Sequence, residues 1–356
     1  KITGNTQIDF SYTYSHDADK ESRTQIGQRE NQLGTADLLN SHTLSFKERE
    51  LQVSRLTLTQ NLPSINNTII EASGSIIKAN EMIPNLRQSA YIYNEDFDQY
   101  SIQENSITSP SYFWRNLDDN QKQAQVNITI PFLQEKSAAN KIKLGGLYSK
   151  KDRLYTEDFF SLVFPSQQPD SYMPFGGTDN LGDFYSKSNF GILSINENRL
   201  GTTKYYEFGN LIKYQSRPDG SNNNNYSGYE EISALYAMVT FNLTERLKIT
   251  AGARFEITEM ESISDEYNVR IGDTTLIGPV KEWREIDGQF QQVTVKSRDE
   301  AVADYLKELD SELIGRISEK DILPALNATY ELTEDMNVRA SYSKTIARPN
   351  MREMSP

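Results

Sequence analysis

The sequence predicts an all-β protein, and more specifically an antiparallel transmembrane β-barrel with long extracellular loops. Two observations support this prediction. Apolar and polar residues alternate with a period of two along several runs, which is typical of strands with one apolar and one polar face. Short and long connections between these runs also follow each other in turn along the chain. Barrels in a bacterial outer membrane show this pattern, because their short turns face the periplasm and their long loops face outward.

The composition excludes several other classes of protein. The 356 residues include 37 Lys and Arg against 50 Asp and Glu, which gives a formal net charge of −13. An acidic chain of this kind is not expected to bind nucleic acid, which requires a basic face. The chain has no Cys, so disulfides and thiolate metal sites are absent, and its two His leave little room for imidazole chemistry. The mean hydropathy of −0.65 and the lack of a long apolar run argue against membrane-spanning helices.

Nine candidate strands can be placed, most of them 9–13 residues long. Alternation is irregular in one of them, where Leu51 and Val53 have one parity and Leu56 and Leu58 the other. A β-bulge near Arg55 is predicted to reconcile the two halves. The four clearest runs cover 8–14, 124–132, 247–257 and 336–346, and the weaker ones lie near 51–60, 68–79, 141–150, 230–243 and 321–332.

The connections between strands separate the barrel from a soluble antiparallel sandwich, which remains the alternative. Loops of 40 to 75 residues after every second strand are uncommon in a soluble domain, whereas a transmembrane barrel has both short turns and long loops. Short connections are predicted near 61–67, 133–140, 243–246 and 332–336, and long ones near 16–40, 80–120, 151–229 and 258–321.

One of the long loops is predicted to contain an amphipathic helix at 297–313. Val302, Tyr305, Leu306, Leu309 and Leu313 recur there at helical spacing. The stripe is expected to fold the loop or to pack on the barrel rim, although it is also compatible with docking of a partner.

Candidate ligand-binding residues lie in two loops. Tyr112, Trp114 and Arg115 belong to an aromatic cluster in the loop that ends near 120, and Trp283 with Arg284 forms a weaker pair. Aromatic faces stack on sugars and flat ligands, and Arg holds anions through two hydrogen bonds. The alternative is that these side chains form an aromatic girdle or a loop core. No catalytic, phosphate-binding or metal-binding motif is present, so neither an enzyme nor a cofactor or metal site is expected.

Three segments give the sequence a family resemblance. Residues 229–256 resemble a mid-barrel hairpin of the TonB-dependent outer-membrane receptors, residues 322–356 resemble the hairpin that follows it, and residues 84–91 resemble the loop after an earlier strand. The first two segments read YEEISALYAMVTFNLTERLKITAGARFE and ILPALNATYELTEDMNVRASYSKTIARPNMREMSP.

The resemblance implies a 22-stranded barrel in the cell outer membrane, closed by an N-terminal plug. Such a receptor imports a nutrient with energy from the inner-membrane TonB complex. The segments are most similar to Bacteroidota-like branches, which implies an oligosaccharide or a peptide as ligand more than a ferric siderophore. The resemblance is also compatible with a surface lipoprotein as a partner, in addition to the lipid bilayer.

The chain is expected to be an internal portion of a longer protein. Lys1 begins within an alternating pattern, and neither a plug nor a TonB box is recognisable. Residues 1–356 are therefore predicted to be part of a single barrel domain, with the plug and further strands outside them. Two other functions stay open: a barrel that serves as a structural or interaction subunit of a surface or secretion assembly without transporting anything, and a soluble sandwich-type adhesin.

Overall fold

A computed structural model describes most of the chain. The described residues are 4–30, 36–94, 99–101, 110–133, 140–163, 192–197, 204–208, 211–214, 224–286, 289–333 and 335–354.

The main feature of the fold is one antiparallel sheet in which sequential neighbours pair. Nine strands follow each other across it in the order β1-β2-β3-β5-β6-β10-β11-β14-β15. These strands are β1 Thr6–Glu30, β2 Ala36–Leu62, β3 Thr68–Asn94, β5 Ser111–Pro131, β6 Lys141–Val163, β10 Tyr226–Asn242, β11 Leu247–Ser264, β14 Ile314–Thr333 and β15 Met336–Ser343.

The remaining elements are short. β4 (Gln99–Ser101) pairs with β3, and β9 (Leu211–Tyr214) pairs with β6, whereas two hairpins are separate from the main sheet. These hairpins are β7 (Ile192–Glu197) with β8 (Lys204–Phe208), and β12 (Val280–Ile286) with β13 (Gln289–Lys296); the helices are α1 (Asp265–Arg270), α2 (Arg298–Leu313), α3 (Met351–Met354) and a 3₁₀ helix at Ile271–Leu276.

The strand register aligns the apolar side chains of all the long strands on one face of the sheet. We call this the apolar face and the opposite side the polar face. Large side chains on the apolar face are exposed, with Leu235 at 68% and Ile322 at 63%. An uninterrupted exposed apolar surface of this kind indicates contact with lipid or with another protein. One row of paired residues runs Ile8, Leu58, Ala72, Val126, Gly146, Leu235, Phe255 and Ile322.

The strands are much longer than predicted, and the long loops are correspondingly shorter. β2 and β3 each have 27 residues, and most of the predicted 16–40 and 80–120 loops is paired strand. Alternation fails to detect these extensions because polar residues interrupt the apolar parity there. On β5, for example, the apolar parity of Ala124 and Val126 continues as Lys122, Asn120 and Asp118. The backbone ladder continues although the side-chain pattern has ended.

The bulge predicted near Arg55 is wrong. The β1–β2 and β2–β3 registers are regular through this residue, and the β2–β3 register shifts instead between Leu44 and Glu48. Leu56 and Leu58 lie on the apolar face, whereas Leu51 and Val53 lie on the polar face opposite Ala79 and Ile77. The change of parity therefore reflects a small apolar patch on the polar face.

The short turns and the helix are confirmed. β2–β3, β5–β6, β10–β11 and β14–β15 are each joined by the short connections expected. Asn66 and Asn67 have φ of 53° and 54° in the first of these turns, a conformation that Asn tolerates better than most residues. Among the described residues, no helix is long and apolar enough to cross a membrane.

The sheet of the described residues is open. There, β1 pairs with β2 and β15 pairs with β14, and neither has a second neighbour. The 22-strand number therefore stays a prediction.

Candidate functional site: the polar face of the sheet

The polar face carries a wall of ion pairs on β5 and β6, beyond the level at which the apolar face becomes polar. Arg115 Nε donates to Glu157 Oε2 at 2.5 Å, and the Glu157 side chain is almost fully buried. Asn224 donates to the other carboxylate oxygen, and Asn225 Oδ1 accepts from the backbone N–H of Glu157. The buried carboxylate therefore has the partners that burial of a charge requires.

A second ion pair lies four residues further along the same strands. Arg153 binds Asp119 through two hydrogen bonds, Nε to Oδ1 at 2.7 Å and Nη2 to Oδ2 at 2.6 Å. Lys151 lies 3.5 Å from the same carboxylate. A bidentate Arg–carboxylate pair fixes both side chains, so this part of the wall is rigid.

The chain after β15 folds over the polar face. Arg348 Nη1 lies 2.8 Å from Glu256 Oε1, and Arg348 Nη2 lies 3.5 Å from Asp321 Oδ2. Arg254 also binds Glu256, at 2.6 Å from Nε. Further on, Met351 is buried in a cluster with Tyr226 and Met260. The 344–354 segment is thus held by charge at one end and by apolar packing at the other.

Two glycines allow this segment to lie close to the sheet. A Cβ at Gly228 would come 3.2 Å from Met351 Sδ, and one at Gly315 would overlap the Met354 carbonyl. The Ser262 and Thr258 hydroxyls beneath have no hydrogen-bond partner within the described part of the chain. The segment therefore covers the polar face of β10, β11 and β14 without satisfying all of the polar groups there.

The structure separates the predicted ligand-binding residues. Tyr112, Trp114 and Arg115 lie on strand β5 and not in a loop, because β5 begins at Ser111. Successive strand residues point to opposite faces, so Arg115 joins the polar face while Tyr112 and Trp114 lie on the other face. There, Trp114 packs edge-on against Phe160 with ring centroids 5.3 Å apart and stacks with Tyr112 at 6.4 Å.

The other predicted pair lies on a separate hairpin. Trp283 and Arg284 are on β12, and the Trp283 side chain is 67% exposed. Arg284 makes a 3.3 Å ion pair with Glu282 of the same strand. The five predicted residues therefore do not form one site, and ligand binding by any of them stays a prediction.

Sequence reasoning missed Glu157, the buried partner of Arg115, and the Asp119–Arg153 pair on the same two strands. No motif marks Glu157, Asp119, Arg153 or Arg348, whereas the alternation of the 247–257 run already placed Glu256 on the polar, lumen-facing parity. Counting residues from the apolar parity of β5 and β6 would have placed the first three on the polar face; no such count extends to Arg348, which follows the end of β15. In the described residues, no group of three or more His, Cys, Asp or Glu could hold a metal ion.

A model of the "TonB dependent receptor-like, beta-barrel" family matches residues 79–356. The chain belongs to this family. Barrels of this family lie in the bacterial outer membrane, so the apolar face contacts lipid and the polar face lines the lumen.

Solved structures of such receptors are similar to the chain at low identity. The ferric citrate transporter FecA in its unliganded form has 9% identity and a TM-score of 0.33, with 95% of this chain and 43% of FecA covered. The siderophore receptor PiuA from Acinetobacter baumannii has 10% identity and a TM-score of 0.36, with 98% and 50% covered. The closed form of the ferric-catecholate import receptor Fiu from E. coli K12 has 10% identity and a TM-score of 0.31, with 96% and 50% covered.

The chain thus spans about half the length of the solved receptors that it matches. A comparison with curated proteins found no match.

Proposed function

We propose that this chain is the barrel wall of a receptor that imports a nutrient across the outer membrane with energy from the TonB complex. Membership of the TonB-dependent receptor family is the observation that supports this function most strongly. Residues 1–356 contribute one part of a single barrel domain, and a plug outside them makes the contact with TonB. Coupling energy then has to supply the difference in ligand affinity between two plug states.

The ligand that we propose is an oligosaccharide or a peptide in preference to a ferric siderophore. The polar face supports this choice because its cations are neutralised by nearby carboxylates, as in Arg115 with Glu157 and Arg153 with Asp119. A strongly anionic ligand would compete with those carboxylates for the cations. Neutral polyhydroxyl or amide groups can accept hydrogen bonds from the remaining N–H groups without leaving a buried charge unpaired.

Among the predicted residues, Arg115 is the one that we assign to the lumenal binding surface. Trp283 and Arg284 would meet a ligand on the β12–β13 hairpin, where the indole is available for stacking. Tyr112 and Trp114 lie on the outward side of the barrel wall and could contact only a ligand that approaches from outside the barrel.

The test is uptake of labelled oligosaccharides and peptides by cells that produce the intact receptor. We expect uptake to need TonB and the proton gradient, and Arg115→Gln to weaken apparent affinity by roughly tenfold through the loss of one charged hydrogen bond. Arg115→Lys keeps the charge beside Glu157 and controls for misfolding. Arg339→Gln, on the polar face in the middle of β15, should leave affinity unchanged. Uptake that persists without TonB would contradict the proposal.

A second candidate is a barrel that binds a surface partner, including a lipoprotein, within an assembly. The Tyr112–Trp114–Phe160 cluster on the apolar face, in which Trp114 is exposed, favours it, because the cluster lies beyond the lipid level, next to polar residues. Co-purification that is lost in Trp114→Ser, together with no TonB-dependent uptake of any ligand, would favour this candidate over import.

A further inference from the structure

The apolar face ends at a row of lysines on three adjacent strands. Lys78 of β3, Lys122 of β5 and Lys150 of β6 follow the apolar parity of their strands. Each lies nine or ten residues from the short turn that begins or ends its strand, which is about 30 Å along the strand. With a tilt of roughly 45° this corresponds to a height of about 20 Å, close to that of a lipid-facing band. The row is therefore level with the headgroups of the outer leaflet.

The arrangement of these lysines is unfavourable for the protein alone. Lys122 and Lys150 are direct cross-strand partners, and Lys78 is the diagonal neighbour of Lys122. Like charges directly opposite each other destabilise a sheet. Lys150 approaches Glu231 at 3.8 Å and the Tyr229 ring at 5.4 Å. Lys78 and Lys122 are exposed, and neither forms an ion pair within the described part of the chain.

An apolar groove lies directly below the row. It has a volume of about 390 Å³ and is lined by Ala124, Val126, Gly146, Tyr148, Leu235 and Phe255, among others. Ala124 and Tyr148 are cross-strand partners, one step along the apolar face from Lys122 and Lys150. Gly146 has no side chain to fill the groove, and a Cβ there would come 3.2 Å from Leu235 Cδ2.

We propose that this surface binds one phosphate-bearing lipid of the outer leaflet. Its phosphate lies between Lys122 and Lys150, within reach of Lys78, and one acyl chain occupies the groove over Gly146. The two features support each other, because a basic row alone would suit any anion and an apolar groove alone would suit any lipid. Glu231 and Asp152 border the row on the β6–β10 side and restrict the anion to the β3–β5–β6 side.

The charge part of the proposal is tested with the intact receptor, stripped of lipid in detergent and titrated with lipid A that carries two phosphates. Native mass spectrometry measures the bound fraction. The double variant K78Q/K122Q should bind at least roughly tenfold more weakly, since each lysine near a charged lipid surface contributes on the order of a few-fold. K143Q/K248Q removes the same charge from the polar face, on the other side of the sheet, and should bind like the wild type. Equal weakening in both double variants would overturn the proposal.

The groove is tested by Gly146→Leu, which fills it with a side chain. We expect this variant to lose affinity for lipid A, whereas Ala253→Leu, on the same face of β11 and outside the groove, should not. The soluble phosphosugar headgroup without acyl chains should bind both variants equally.

Two further arms distinguish a lipid from a free anion. Fully dephosphorylated lipid A should bind the wild type as weakly as lipid A binds K78Q/K122Q. Inorganic phosphate in excess should displace little lipid, because it gains nothing from the groove. Complete displacement by inorganic phosphate, or lipid A binding unaffected by Gly146→Leu, would overturn the lipid assignment.

Discussion

At the scale of single residues, the packing of the barrel wall depends on a glycine, whose lack of a side chain leaves space for a neighbouring aromatic ring. Gly145 of β6 faces Tyr236 of β10 across the strand pair on the polar face. The Tyr236 ring lies over Gly145, and its hydroxyl donates to Asn127 Oδ1 at 2.7 Å on the next strand. The glycine thus allows one aromatic side chain to bridge three strands.

We expect Gly145→Ala to destabilise the barrel by about 1–3 kcal/mol, as overpacking does in well-packed sites. A Cβ there would overlap the Tyr236 ring and lie 2.6 Å from Asn127 Oδ1, so the ring would have to move and lose its hydrogen bond. The measurement is the temperature at which the folded protein loses its fast mobility on detergent gels. Gly74→Ala is the matched control, because a Cβ there meets only Gln123 O, at 3.9 Å. A similar transition temperature for both variants would contradict the prediction.

At the scale of elements, helix α2 has a complete capping box. Ser297 Oγ accepts from the Glu300 N–H at 3.3 Å, and Glu300 Oε2 accepts from the Ser297 N–H at 2.8 Å. Leu309 and Leu313 are buried on the same stripe that the sequence predicts. Tyr267 and Arg316 bind Asp310 from outside the helix, and the hydrogen bond from Arg316, followed by that from Tyr267, lowers the pKa of Asp310. The helix is therefore fixed at its start by its own residues and near its end by its surroundings.

We expect Ser297→Ala to destabilise the first turn of α2 by about 1 kcal/mol. Hydrogen–deuterium exchange of the peptides that cover 297–303 is the measurement, with Ser311→Ala on the same helix as the control. Unchanged protection in Ser297→Ala would show that the cap does not limit local opening.

The same box predicts a dependence on pH. The backbone N–H of Ser297, followed by its hydroxyl, binds the Glu300 carboxylate and lowers its pKa below the ordinary value. A lowered folded-state pKa means that the stabilisation is complete above the ordinary pKa of about 4.3 and is lost as the pH falls through the folded-state value. The first turn of α2 should therefore be more stable in the wild type than in Glu300→Gln, and this difference in stability should disappear only below about pH 4. A loss that begins near neutral pH would contradict this assignment.

At the scale of the whole molecule, the 344–354 segment connects the end of the sheet to the lumenal wall. Arg348 binds Glu256 of β11 and Asp321 of β14, while Met351 packs against Tyr226 of β10. Three strands are therefore tied together by residues that follow β15. The segment also decides how much of the polar face is available to a ligand.

We expect Arg348→Ala to release this segment while the barrel stays folded. Arg254 remains beside Glu256, so its carboxylate keeps one partner and the strands keep their ladder. Deuterium uptake across 344–354 should rise severalfold, in line with the loss of a charged hydrogen-bond pair. Arg284→Ala removes an exposed ion pair on the β12–β13 hairpin and should leave the deuterium uptake of 344–354 unchanged. Equal protection of 344–354 in both variants would show that Met351 alone holds the segment.

The amino-acid sequence alone predicts the apolar face, the short turns, helix α2 and the family resemblance. These features depend on local patterns, namely a period of two, a period of 3.6 and the residues of one hairpin. How far the strands extend is seen only in the folded sheet, because backbone pairing continues beyond Lys122 and Lys150 after the alternation has ended.

The folded sheet also shows which side chains share a face. Trp114 and Arg115 are neighbours in sequence yet lie on opposite faces of β5, whereas Arg348 and Glu256 meet across 92 positions. A contact of that separation depends on the register of several strands at once, and no local pattern records it.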